Sequence, residues 1–246
     1  MRLPDKAEDR RSMFIPLHDT NSLKHLRFQY VTVLLIAANV AVFLLQSAGI
    51  NQGAVASFAV IPRELLAVGW VGGAARGPLD LFAIPEPYTL LTYMFFHGDL
   101  GHLLGNMLFL WVFGDNVEDA VGHIKFLLFY LLCGVAAAIT HTVITGDSPR
   151  PLIGASGAVA GVIAAYLMLH PRITVWVLAF KFIPLQINAA LALGLWIALQ
   201  VAMVLVPQVG PVAWWAHIGG LVAGAVLILV MRRPGVPLFD RNITAA

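Results

Sequence analysis

The chain has 246 residues, 59% of them hydrophobic and 11% charged, with a formal net charge of +2. A charged share so far below the roughly 25% of soluble domains excludes an ordinary water-soluble fold and points to a bilayer, and so small a net charge gives no reason to invoke nucleic acid. The single cysteine, Cys133, excludes an intrachain disulfide and a paired-cysteine metal site.

Met1 to Arg27 is polar and mixed in charge, and we read residues 1–29 as a partly disordered cytoplasmic tail. Tyr30 to Ala48 is the first predicted span. Gly49 to Tyr88 is a long connection rich in Gly and Pro, expected to carry one or two short interfacial helices with Trp70 and Tyr88 at headgroup level. A second span holds HGDLGHLLGNMLFLWVFG, but only 15 uncharged residues separate Asp99 from Asp115. That is roughly 22 Å of helix against a ~30 Å hydrocarbon core, so its start is expected in a wet place. Asp115, Glu118 and Asp119 then read as an acidic turn, with Glu118 anchoring a loop.

The third span is predicted over Ile124 to Thr145, and the fourth starts near Ser156 within an uncharged run of 21 residues, Pro151 to Pro171. Arg172 to Lys181 reads as a short amphipathic link, Pro184 to Val206 as the fifth span and Ala213 to Met231 as the sixth, leaving 232–246 as a second tail. With the N-terminus inside, twelve basic residues fall on inner segments and Arg63, Arg76 and Arg150 on outer loops. The positive-inside rule therefore selects both termini inside. The expected architecture is an all-α bundle of six transmembrane helices.

Ser156 is the residue to explain. A small residue beside Gly157 and Gly161 suits a close helix crossing, whereas a serine flanked by Gly154 and Gly157 also suits a nucleophile on a strained turn. The even-numbered spans run from outside to inside, which puts Ser156, His102 and His217 at a common outer depth, so that a Ser and a His can meet as nucleophile and base. Gly220 and Gly224 after His217 repeat the GxxxG spacing and would pack the sixth span on the fourth. His102 and Asn106, four residues apart, share a helix face and can donate to a developing oxyanion together with the Ser156 N–H; a polar seam between helices is the alternative for Asn106. His97 and Asp99 read as structural groups at the wet helix start. With no Asp or Glu in the last three spans, a Ser-His dyad is expected in place of a triad.

The segments HGDLGHLLGN, GASGAVAG and AHIGGLVAG, in this order on alternating spans, resemble the signature of the rhomboid intramembrane serine proteases. The resemblance implies a six-span fold with Ser156 as nucleophile, His217 as base, and His102 and Asn106, with Gly154 beside the serine, on the oxyanion and substrate side. It implies single-span membrane proteins as substrates, with no cofactor and no metal. The expected location is a bacterial plasma membrane. Two departures stand out: Trp70 is followed by Val71 where many members have a Trp-Arg pair, and Ala160 stands where some members place a tyrosine beneath the imidazole, leaving open what orients His217. A transporter reading lacks an internal repeat and midplane polar groups. A metalloprotease reading lacks HExxH.

Overall fold

The computed structural model describes residues 14–49, 52–68, 80–179, 183–205 and 212–240. The predicted positions of Trp70, Val71, Arg76 and Lys181 lie outside them. The elements are, in order, β1 (Phe14–Asp19), α1 (Tyr30–Ser47), α2 (Gln52–Phe58), α3 (Pro62–Val68), α4 (Glu86–Thr92), α5 (Leu100–Val121), α6 (His123–Thr145), α7 (Ser156–Leu169), β2 (Thr174–Ala179), β3 (Ile183–Asn188), α8 (Ala189–Leu205) and α9 (Trp214–Met231).

Among the described residues, three helices, α1, α6 and α9, are long and apolar enough to cross a membrane, and α7 and α8 are shorter apolar helices. Large side chains such as Leu34, Leu45, Ile124, Val143 and Val230 point outward. Such a surface is compatible with a hydrocarbon solvent and not with water. The sites that let the helices pack are small. α7 lies at the centre with almost every residue from Gly157 to Tyr166 buried, and it meets α9 through glycines: a Cβ on Gly220 would collide with the Gly157 carbonyl, and one on Gly224 with that of Gly161. Gly161 likewise leaves no room between itself and Cys133 on α6. Both crossings follow the spacing read from the sequence.

Several segments differ from their sequence reading. Phe14–Asp19, placed in a partly disordered tail, forms an edge strand, and the predicted amphipathic link is β2, which pairs antiparallel with both β1 and β3. The fifth span accordingly starts at Ala189 instead of Pro184. Pro16 and Pro184 both sit in edge strands, where a missing N–H costs no ladder bond, and Val175 and Val177 of β2 are buried. The all-α expectation thus gives way to a helical bundle carrying one small sheet.

Asp115, Glu118 and Asp119 form the last turns of α5 and not a turn after it. Asp115 accepts from the backbone and side chain of Asn116, whereas the carboxylates of Glu118 and Asp119 are spent on the chain's first segment. Asp119 accepts the backbone N–H groups of Lys24, His25 and Leu26 at 2.6–3.0 Å. Glu118 accepts those of Val31 and Thr32 and the Thr32 hydroxyl at 2.7–3.0 Å. Since the first turn of a helix has N–H groups without intrahelical acceptors, Glu118 caps α1 from another helix, which satisfies the anchoring role expected of it. The buried Asp19 accepts from the Tyr166 hydroxyl at 2.5 Å and from Asn116 at 3.2 Å. Burial pushes its carboxyl up, against the opposing effect of the Tyr166 bond. Residues 232–240, read as tail, are also tied in, with Asp240 accepting from the Arg172 N–H at 2.9 Å and Arg233 N–H donating to Ala120 at 2.8 Å.

Candidate active site

Ser156 is the first residue of α7 and is partly exposed, whereas the ten residues that follow it, 157–166, are all buried. The approach to it is a sharp bend. Gly154 has φ +118, in the region L side chains avoid, and a Cβ there would lie 2.6 Å from the His102 ring. Conformation and space both require glycine at 154, and its bare face forms the ledge on which His102 rests. The Gly154 N–H donates to the Tyr93 carbonyl at 2.9 Å, fixing the bend from the α4 side. No side chain caps α7, so the N–H groups of its first turn are left without intrahelical acceptors.

The neighbours of Ser156 and His217 touch: a Cβ on Gly157 would sit 3.6 Å from the Ala216 carbonyl oxygen. Below this contact lies the glycine crossing of α7 and α9. His217 is buried, and its ring stands between Trp196, 6.1 Å away at 30°, and Trp214, 5.9 Å away at 88°.

His217 has a partner that sequence reasoning missed. Its Nδ1 lies 2.7 Å from Oε1 of Gln200 on α8. The Gln200 amide nitrogen donates to the Trp196 carbonyl at 3.2 Å, which turns the amide oxygen toward the imidazole. An oxygen there accepts only, so Nδ1 carries the proton and Nε2 keeps its lone pair. Gln200 is the only polar side chain in AALALGLWIALQVAMVL, and that isolation was the available signal.

His102 and Asn106 are one turn apart on α5 as expected. Asp99 is the N-cap of that helix, its carboxylate accepting the His102 N–H at 2.8 Å, in line with the structural role given to it. Asn106 is buried, and its Nδ2 has no hydrogen-bond partner. A buried amide donor without an acceptor is rare in folded proteins and calls for an explanation. His97 is fully buried behind His102, the two ring centroids 5.0 Å apart at 70°, and its backbone carbonyl accepts from Gln46 of α1 at 2.7 Å. It backs the His102 ring and caps nothing.

The fold and site define a multi-pass helical membrane protein whose short central helix begins at a glycine-bounded serine, with His102 packed on Gly154 just before that serine and Ala216, next to His217, beside Gly157 just after it. The family profile described as Rhomboid domain matches residues 85–234, and the chain belongs to the rhomboid family. It is 29% identical over 165 residues to RHOMBOID-like protein 12, mitochondrial, of Arabidopsis thaliana, covering 60% of this chain and 47% of that protein. It is 34% identical over 149 residues to RHOMBOID-like protein 6, mitochondrial, of the same plant, covering 60% and 45%. To Rhomboid protease GluP of Bacillus subtilis strain 168 it is 30% identical over 167 residues, covering 68% and 30%. The chain matches less than half the length of each of these relatives.

Proposed function

We propose that this chain is an intramembrane serine endopeptidase that cuts single-span membrane proteins within the bilayer. Ser156 Oγ attacks the scissile carbonyl while His217 Nε2 takes its proton, then returns that proton to the leaving amine. A water, activated by the same imidazole, hydrolyses the acyl-enzyme and frees Ser156. The oxyanion formed in each step is met by the Ser156 N–H, the His102 ring and the Asn106 amide.

The observation that carries this reading is the state of His217: buried, adjacent through Ala216 and Gly157 to the serine-bearing helix start, and held by Gln200 in the tautomer a general base needs. Gln200 thereby fills the orienting place that Ala160 leaves empty, and the site works as a Ser-His dyad with a neutral third member. The 14 residues of α7 span only about 21 Å, which leaves Ser156 recessed below one surface of a ~30 Å core. In the orientation with both termini inside, that surface is the outer one. A plasma-membrane location fits the same orientation. A substrate helix hides its carbonyls in i to i+4 bonds and must unwind before attack, and the small residues around Ser156 favour a small residue at the cut.

Labelling of the detergent-purified protein with a fluorophosphonate tests this. The wild type should be labelled covalently and Ser156→Ala should not; equal labelling of both would overturn the assignment of the nucleophile.

A further inference from the structure

The long connection before α5 carries three carboxylates from three separate segments: Glu64 on α3, Asp80 on the loop behind it and Glu86 at the first turn of α4. One oxygen from each lies within 4.8 Å of the other two. Glu86 is the informative one. It is 4% exposed, yet its carboxylate accepts no hydrogen bond and, like that of Glu64, forms no ion pair with any described residue. A buried carboxylate without a partner is costly, and buried charges are normally paired or bound to metal. Burial, followed by the fields of Glu64 and Asp80, pushes the Glu86 carboxyl up to about 7, and Glu64 is raised for the same reasons, with the neighbouring Arg63 opposing.

We propose that Glu64, Asp80 and Glu86 bind a divalent cation, calcium by preference, as a structural clamp on this connection. The donor set is all oxygen, which suits calcium, magnesium or manganese and not zinc or copper. Opposite ligands around a calcium ion at 2.3–2.6 Å stand roughly 5 Å apart, so three oxygens within 4.8 Å of one another fit one coordination sphere. Ligands drawn from three segments suit the flexible coordination of calcium better than the strict octahedron of magnesium.

The clamp would fasten the very segments that frame the site. The chain after Asp80 is tied to α2 by the N–H groups of Leu81 and Phe82, which donate to the Ser57 hydroxyl at 2.9 and 3.1 Å. α3 is joined to the approach to Ser156 by the Val60 to Leu152 bridge and by the Arg63 N–H donating to Ser148 at 3.2 Å. α4 runs into Tyr93, whose carbonyl holds Gly154. The ion is thus structural and takes no part in peptide cleavage, and its binding does not depend on the serine chemistry.

The test uses full-length Ser156→Ala protein in detergent, stripped with EDTA, so that the result is independent of activity. Calcium chloride should raise Tm by several degrees at a hundredfold excess over Kd and give a saturable calorimetric isotherm with one site. Potassium chloride at equal ionic strength should do neither. Glu86→Gln should melt higher than its parent without metal and lose the calcium response; Glu64→Gln, should the first variant fail to fold, must lose the isotherm as well. A parent protein whose Tm and heat signal ignore calcium, or a Glu86→Gln variant that responds as its parent does, overturns the proposal.

Discussion

Gln200 Oε1 and His217 Nδ1 are 2.7 Å apart, and both side chains are buried. The bond ties α8 to α9 at the depth of the imidazole and decides which ring nitrogen is free. Replacing Gln200 with Leu leaves the Nδ1–H without an acceptor, at a cost of about 1–3 kcal/mol to folding, and lets the imidazole take the wrong tautomer. The expected result is a fall in kcat of ~10-fold or more with KM little changed, and a matching fall in fluorophosphonate labelling rate. Gln200→Asn, which is shorter, should not restore the rate, whereas Gln200→Glu should. Lost stability with an unchanged labelling rate would reduce Gln200 to a packing residue.

Asn106 gives a contrasting case, because its buried Nδ2 has no partner to lose. Asn106→Ala should lower kcat by ~10²-fold, as removal of an oxyanion donor does elsewhere, and leave Tm within a degree or two. Kinetics and a thermal melt on the same preparation check both. An unchanged rate with a lowered Tm would assign Asn106 to the helix seam.

The crossing of α7 and α9 makes a prediction about assembly. Gly220→Ala puts a methyl group into the Gly157 carbonyl, a backbone atom that cannot swing aside. Overpacking of this kind typically costs 1–3 kcal/mol, and here it also pushes His217 away from Ser156. Gly105→Ala is the control, since nothing stands within 4 Å of its Cβ position. Gly220→Ala should lower both Tm and labelling, and Gly105→Ala neither.

What the sequence reveals is uneven for physical reasons. Five apolar helices and the close crossing at Gly220 and Gly224 are legible because uncharged runs and GxxxG spacing are local signals. The pairing of Phe14–Asp19 with Thr174–Ala179 is not, since strands so far apart in the chain announce no partner and a polar segment of mixed charge looks like a tail. Asp115, Glu118 and Asp119 read as a turn because three acids at the end of an apolar helix look too costly there. The acceptors of Glu118 and Asp119 are consumed by backbone N–H groups of Lys24 to Thr32, which no pattern within α5 records. Gln200 in an apolar span looks like any seam residue until His217 is seen against it.

The acidic connection predicts a pH dependence of stability. Glu86 ordinarily titrates at 4.5 and is raised to about 7 in the fold, so below 4.5 its proton is bound in both states and the full contribution is present. As pH rises from 4.5 through 7, the folded state holds a proton the unfolded state has released, and stability falls. Metal-free protein should therefore show a declining Tm across this window, and Glu86→Gln should flatten the decline. A Tm that rises over the same window in the wild type, or an identical slope in the variant, contradicts the placement of Glu86.

The central claim is that Ser156 and His217 act together on a peptide bond inside the membrane. Its most direct measurement is the rate of cleavage of a single-span membrane protein co-reconstituted in liposomes, for wild type, Ser156→Ala, His217→Ala and the double variant. Residues that act as a unit are strongly non-additive, so each single variant should abolish turnover and the double variant should be scarcely worse. Measurable turnover by Ser156→Ala, or losses that multiply in the double variant, would contradict the account.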